Sequence, residues 1–358
     1  MNFKSIFNCL NLFCLSFVCF TPSCTTTENQ YASYSLLPKE IRSNMYLPAK
    51  SSYYAKEDFT IYETAVLSLA PGVKFVLCDT CQVYCKGAII SQGSKAMPVE
   101  FGRRSNESKF HFTSSKQASI FINTSFSNAS IFLNQTSFTV DSCFFNEFDY
   151  KEKSKLVSFV LSSYKSNVKL SNSCFTGNDL KEGLGFNKGS CTIVNNKFTN
   201  HPDAIELSNI DSALVHNNHI DYSKDDGIDL NNCRNILISN NSIRFSKDKG
   251  ISIGNRSEVS IDHAIKIRNN TIRANKIGIA VKENAFVQVS NCTFSNNDQA
   301  LFFSENNPNS KALISVVDST HFTDNRQIVN ANGSQRVQFS NCFSPQYLPG
   351  LGNSQHSN

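Results

Sequence analysis

The stretch "DDGIDL" at 225–230 sets three carboxylates within six residues, and "DKGISIG" follows with its first Asp 23 residues further on, at Asp248. One period earlier, Asp203 and Glu206 stand where Asp226 and Asp229 stand in the later copy. Carboxylates gathered in one place push each other's pKa values apart, so that one keeps its proton as a general acid while a neighbour stays ionised as a base. Asp203, Glu206, Asp225, Asp226 and Asp229 are therefore the candidate catalytic acids and bases. Lys249 and Lys282 are the cations at their edge, and Phe302 and Phe303 offer an apolar surface to a sugar ring. That chemistry fits a lyase or glycoside hydrolase acting on a polysaccharide. A plainer reading competes with it. Asp and Lys are ordinary turn residues, and the Gly of "DDG" and "DKG" would supply positive φ ahead of a strand, so the two stretches would be one turn drawn twice.

Choosing between these readings requires the elements that carry the residues, and those elements repeat. The stretches "VKLSNSCF" (168–175), "CTIVNNKF" (191–198), "ALVHNNHI" (213–220), "ILISNNSI" (236–243), "IKIRNNTI" (265–272), "VQVSNCTF" (287–294), "ISVVDSTHF" (314–322) and "VQFSNCF" (337–343) follow one plan. Each is an alternating apolar strand, then Asn, then a second short strand. The Asn falls at 172, 195, 217, 240, 269, 291 and 341, with Asp318 filling the one gap. A second series keeps the same phase: "AIEL" (204–207), "GIDL" (227–230), "GISI" (250–253), "GIAV" (278–281), "ALFF" (300–303) and "QIVN" (327–330). Three short strands leave a period of about 23 residues no room for a helix, which excludes a leucine-rich repeat. The fold class is all-β: a single right-handed parallel β-helix with three strands per coil.

That fold makes the chemistry concrete. In "GIDL", Ile228 and Leu230 point inward and Asp229 outward. Parallel strands stack about 4.8 Å apart, so Glu206 and Asp229 become neighbours, as do Asp203 and Asp226 on the adjoining turn. Like charges side by side on a sheet are destabilising, which the plain-turn reading leaves unexplained. The repeated Asn tolerates a left-handed backbone and should form a ladder of amides at one corner. Cys174, Cys292 and Cys342, near that Asn, are expected in the interior as small hydrophobes. The two longer steps place insertions at 255–264 and 305–313, both expected as loops on one edge.

On these repeats the chain resembles the pectin-lyase-like β-helix superfamily, in particular secreted bacterial β-helix repeat proteins. The stretches "FTIYETAVLSLAPGVKFVL" (59–77) and "CQVYCKGAIISQGSKAMPVEF" (81–101) are similar to their opening coils. The resemblance implies the fold over roughly 55–345 and leaves activity open, since the superfamily hosts enzymes, adhesins and stalks. A fainter resemblance to polygalacturonases rests on Asp203, on Asp225 and Asp226, and on Lys282. It departs from their pattern where Lys249 replaces a His and no Arg stands before Val281, which puts that activity in doubt. The function read from these residues is polysaccharide binding, with or without processing by a lyase or hydrolase, along the outward face of the "GIDL" strands. The alternative is a non-enzymatic surface adhesin or β-helix stalk.

The remaining features set the context. Of 358 residues, 18% are charged and the net charge is +5, without a basic block, so nucleic acid is not an expected partner. The stretch from Ile6 to Phe20 has the shape of an export signal, so 1–24 read as a signal peptide. Cys24 ends it either as a lipidated residue of a lipoprotein or within a freely secreted chain. A membrane is met only through that lipid; the location is secreted or cell-surface, and the chain is expected to be a monomer. Residues 25–50 read as a linker or N-terminal cap, 51–345 as the β-helix and 346–358 as a flexible tail. Outside the signal nine cysteines remain, an odd number that cannot all pair within one chain. "CDTCQVYC" (78–85) suits a disulfide, buried thiols or, less well, zinc. No cofactor or metal is expected otherwise, with Ca²⁺ at the acidic turns as the one alternative.

Overall fold

In this computed structural model the described residues are 31, 33–78, 81–102, 108–146, 159–254, 265–282, 285, 287–304, 314–332 and 336–345. The expected signal and Cys24, the insertions at 255–264 and 305–313, and the tail lie outside them. Alternating apolar residues form strands whose inward side chains are almost fully buried, as with Ile205, Leu207, Ile228 and Leu230. Every strand pairing is parallel, and each strand pairs with its counterpart one coil away, as Ile205–Ser208 does with Ile228–Asn231. A coil runs through three strands, whose stacks we term face 1, face 2 and face 3 in chain order. Among the described residues, face 1 is a sheet of 13 strands. Faces 2 and 3 together form a sheet of 24, joined because the strands Phe159–Ser171 and Glu182–Val194 each run unbroken across the corner between them. No α-helix occurs among the described residues, and none there is long and apolar enough to cross a membrane.

The core is a column of side chains repeated coil by coil. On face 1, Phe101, Phe126, Phe145, Phe175 and Phe198 are successive register partners. Their rings stack with centroids 5.1, 4.8, 4.3 and 4.9 Å apart. Ile220, Ile243 and Ile272 continue the column before Phe294 and Phe322 restore the rings.

The corners turn by single residues in the left-handed region, which costs an ordinary L-residue roughly 1–2 kcal/mol. Between faces 3 and 1 that residue is Asn172, Asn195, Asn217, Asn240, Asn269, Asn291 and Asn341, with φ between 51° and 59°. Amides pass along this outer row, Asn217 Nδ2 donating to Asn195 Oδ1 at 2.8 Å and Asn195 Nδ2 to Asn172 Oδ1 at 3.1 Å. Asp318 is not in the row. It pairs with Ser340, one position earlier, and Ser319 takes the corner with φ 47°. The Asp318 carboxylate replaces the missing amide by accepting from Ser340 and Asn341.

The next residue in each coil builds a second, buried row: Asn196, Asn218, Asn241 and Asn270. Each of the first three takes the Oδ1 of the next both on its backbone N–H and on its own Nδ2, at 2.8–3.1 Å. Cys292 ends this run and is buried, as expected, and Cys342 is half-buried. Cys174 corrects the expectation: it lies on the outward side of its strand, half-buried, beside Thr176.

Two more expectations change. Among the described glycines only Gly72 and Gly189 have positive φ, so Gly227 and Gly250 are not there for left-handed backbone. They are small because the next coil is close: an added Cβ would lie 2.6 Å from the Gly250 carbonyl or 2.7 Å from that of Gly278. The segment read as linker or cap also contains the first coil, since Ser35–Leu36, Glu40–Ile41 and Met45–Leu47 pair in register with the coil after them. The "CDTCQVYC" cysteines resolve into a Cys78–Cys81 disulfide and a buried Cys85 thiol whose pKa burial pushes up to about 12.

Candidate active site

Residues that enter face 2 stack as one column across successive coils: Phe159, Glu182, Asp203, Asp226, Lys249 and Ile277. The backbone adjoining this column is tied to its side chains. The Asp226 N–H donates to Asp203 Oδ1 at 2.8 Å, and the Lys249 N–H donates to Asp226 Oδ1 at 3.0 Å. The Lys249 ammonium lies 3.2 Å from the same oxygen and also contacts Asp248, which Lys276 reaches at 3.1 Å. Asp226 is 5% exposed, so its carboxylate and that ammonium meet largely out of water.

Three positions further along each strand is the outward column: Gly185, Glu206, Asp229, Ser252, Ala280 and Phe302. Glu206 and Asp229 are direct register partners, as the stacking argument requires. Gly185 is bare because the Phe159 ring lies over it; an added Cβ would sit 2.2 Å from that ring. Carboxylate oxygens of Glu182, Asp203 and Glu206 all come within 4.8 Å of one another, and so do those of Asp203, Asp225 and Asp226. These two triads carry the oxygen donors that could hold a hard divalent cation.

The environments set the protons apart. Burial, then hydrogen bonding to Glu206 and the charges of Asp203, Glu206 and Asp229, push Glu182 up to about 9. Burial is also the main cause for Asp203, raised to about 7 despite the Asp226 N–H, and for Asp226, raised to about 6 against the pull of Lys249. Against the burial that would raise it, Lys249 and Lys276 hold Asp248 below its ordinary value. At neutral pH the column therefore combines a protonated Glu182 with an Asp203 near its midpoint and a mostly ionised Asp226, the kind of graded set that general acid–base chemistry uses.

The structure thus brings Asp203, Glu206, Asp225, Asp226, Asp229 and Lys249 together. Lys282 is further along, donating to Ser252 Oγ at 3.1 Å. Phe302 faces outward and half-buried, but Phe303 is 1% exposed: alternation along the strand turns it into the core, where no ligand reaches it. His201, next to the patch in sequence, is buried too, with Nδ1 2.9 Å from the Lys181 carbonyl oxygen. Two residues escaped the sequence reading, Glu182 and Phe159. Glu182 had a signal, since "EGLGF" (182–186) lies one period before "DAIEL" (203–207) in the same phase.

A family model described as a right handed beta helix region matches residues 157–265 and 203–343, together more than half of the chain. No curated protein matches the sequence. Among solved structures the chain is similar to the periplasmic alginate epimerase AlgG, at 12% identity and TM-score 0.56, over 84% of this chain and 77% of that one. It is also similar to the A-module of the Azotobacter vinelandii mannuronan C-5 epimerase AlgE4, at 13% identity and TM-score 0.50, over 84% and 91%. At such identities the likeness is one of fold.

Proposed function

The chain belongs to the right-handed β-helix family, and on that premise we propose that it binds a polysaccharide over face 2 and cleaves it by acid–base chemistry. The observation that carries this reading is the Glu182–Asp203–Asp226 column, in which burial and mutual charge separate three protonation equilibria between about 6 and about 9. Glycoside hydrolysis is the reaction class that uses such a pair, one carboxylic acid protonating the leaving oxygen while a carboxylate serves the other face of the ring. Glu182 is the acid of this reading; Glu206, hydrogen-bonded to it, holds its proton, and Asp229, one coil beyond Glu206, is the carboxylate for the other face. The similar folds of an alginate epimerase and a mannuronan C-5 epimerase support a polysaccharide as the partner class. The site itself narrows the class. A polyanion would meet an acidic surface on which Lys249 is already paired with Asp226 and Asp248, so the ligand is a neutral or amino-sugar polymer. The apolar N-terminal stretch supports an extracytoplasmic setting for the same activity.

A non-catalytic binding protein is the second reading, favoured by one observation: the ion pair at Asp226 fills the middle of the column with a satisfied, buried contact. The test uses the purified chain with a neutral β-glucan, a de-N-acetylated amino-sugar polymer and a polyuronate. Calorimetry reports binding, and release of new reducing ends reports cleavage. Cleavage of a neutral or amino-sugar polymer that Glu182→Gln abolishes supports the enzyme. Binding without cleavage supports the second reading, and preferential binding of the polyuronate refutes the electrostatic argument.

A further inference from the structure

The corner between faces 1 and 2 is also turned by left-handed residues, and its column reads Asn200, Tyr222, Phe245, Ala274, Asn296 and Asp324, with φ between 54° and 62°. Asn and Asp suit this conformation because a short polar side chain can hydrogen-bond locally; Tyr and Phe have no such compensation and are sterically disfavoured there. The two aromatic exceptions are adjacent. Tyr222 opens the turn that leads to Asp225 and Asp226, and Phe245 opens the turn that leads to Asp248 and Lys249. Strained aromatic corners thus fall on the two coils that supply the buried ion pair of the column.

Neither ring fills the core. Tyr222 is 53% exposed and Phe245 37%, and the rings stack with centroids 4.9 Å apart and planes 10° from parallel. Arg244 fixes the lower edge: it binds Asp221 through Nε at 2.9 Å and Nη2 at 2.8 Å, and its guanidinium lies 5.7 Å from the Phe245 ring centroid. The two rings cover each other, so the stack leaves its outer ring faces and edges to solvent, with the Arg244 guanidinium beside Phe245, on the same turns as the carboxylates. Asp221 is 8% exposed and serves only to hold Arg244. An aliphatic chain would use the ring surface and leave the remaining Arg244 N–H groups idle. A pyranose ring uses both, its C–H face against an outer ring face and its hydroxyls toward Arg244.

We infer that Tyr222 and Phe245 form an aromatic subsite for a sugar ring of the bound polymer, set at the start of the turns that lead into the acid column. This rests on the polysaccharide reading above. The test measures affinity for the neutral β-glucan and the amino-sugar polymer, together with Tm, for wild type, Tyr222→Asn/Phe245→Asn and Tyr222→Phe/Phe245→Tyr. Asn holds this corner at Asn200 and Asn296 and suits the left-handed conformation better than an aromatic residue does, so the first variant should keep or raise Tm while losing roughly tenfold in affinity. The ring-conserving variant should bind as wild type does. Wild-type affinity in the Asn variant would overturn the subsite and leave the polysaccharide reading standing. A fall in Tm that accompanies the loss would also overturn it, making the pair a structural stack. If the wild-type chain bound neither polymer, the polysaccharide reading itself would fail and the subsite with it.

Discussion

Asp203 is pulled in two directions. Burial and the carboxylates around it favour its proton, while the Asp226 N–H donates to the ionised form, and burial wins. Burial wins at Asp226 too, against Lys249, and at Glu182 burial and the neighbouring carboxylates all act the same way, so three carboxyls keep their protons in the folded chain to about pH 9, 7 and 6, against ordinary values of 4.5 and 3.8. Between those limits the folded chain holds more protons than the unfolded one, so stability falls as pH rises. Their contribution is complete below about pH 4 and is lost progressively to about pH 9. Melting curves across that interval should show the decline, and Asp203→Asn should flatten it; equal slopes in both proteins would contradict the assignment. Asp229→Asn tests the neighbouring column. Removing one of two like charges in register should leave Tm unchanged or raise it, by at most about 1 kcal/mol in stability. Cleavage should be lost. Retained cleavage would show Asp229 to be a bystander.

At the scale of the strand and its corner, the two Asn rows differ in what they hold. Outer Asn217 mainly serves a left-handed turn, so Asn217→Gly should be nearly neutral and Asn217→Ala should cost about 1 kcal/mol. Inner Asn218 is buried and satisfies the Asn196 N–H, the Asn196 amide and the Ile193 carbonyl. Orphaned buried groups cost about 1–3 kcal/mol each, so Asn218→Ala should lose roughly 2–4 kcal/mol in urea unfolding. A smaller loss than that of Asn217→Ala would reverse the ranking. The sequence made much of this legible, because period-2 alternation and a recurring Asn are direct records of face and corner. Where it misled, local chemistry had been exchanged between positions. Asp318–Ser319 does the work of Ser–Asn with the polar roles swapped, and "EGLGF" hides Glu182 because Gly185 stands at the outward position that carries a carboxylate in the next two coils. Phe303 was misplaced because two adjacent Phe cannot both face outward on one strand.

Across the whole β-helix each coil touches chiefly the coils before and after it, so stability is a sum of nearest-neighbour interfaces. A defect should therefore stay local. In Asn218→Ala, amide exchange should quicken in the coils around 190–244, while the strands from Phe59 to Phe101 keep their protection. Uniform acceleration over the chain would show a single cooperative unit instead.

The entry column also has a sense. Read from the N-terminal coils it runs from the Phe159 ring through three carboxylates to an ammonium and then to the aliphatic Ile277. No symmetry operation of the β-helix exchanges its two ends. A linear glycan has a reducing and a non-reducing end, so its two ways of lying on this column are different complexes with different free energies. On the polysaccharide reading proposed above the molecule is a vectorial reader: it would hold one strand direction over the other, and every cut would release products with the same end facing the ammonium.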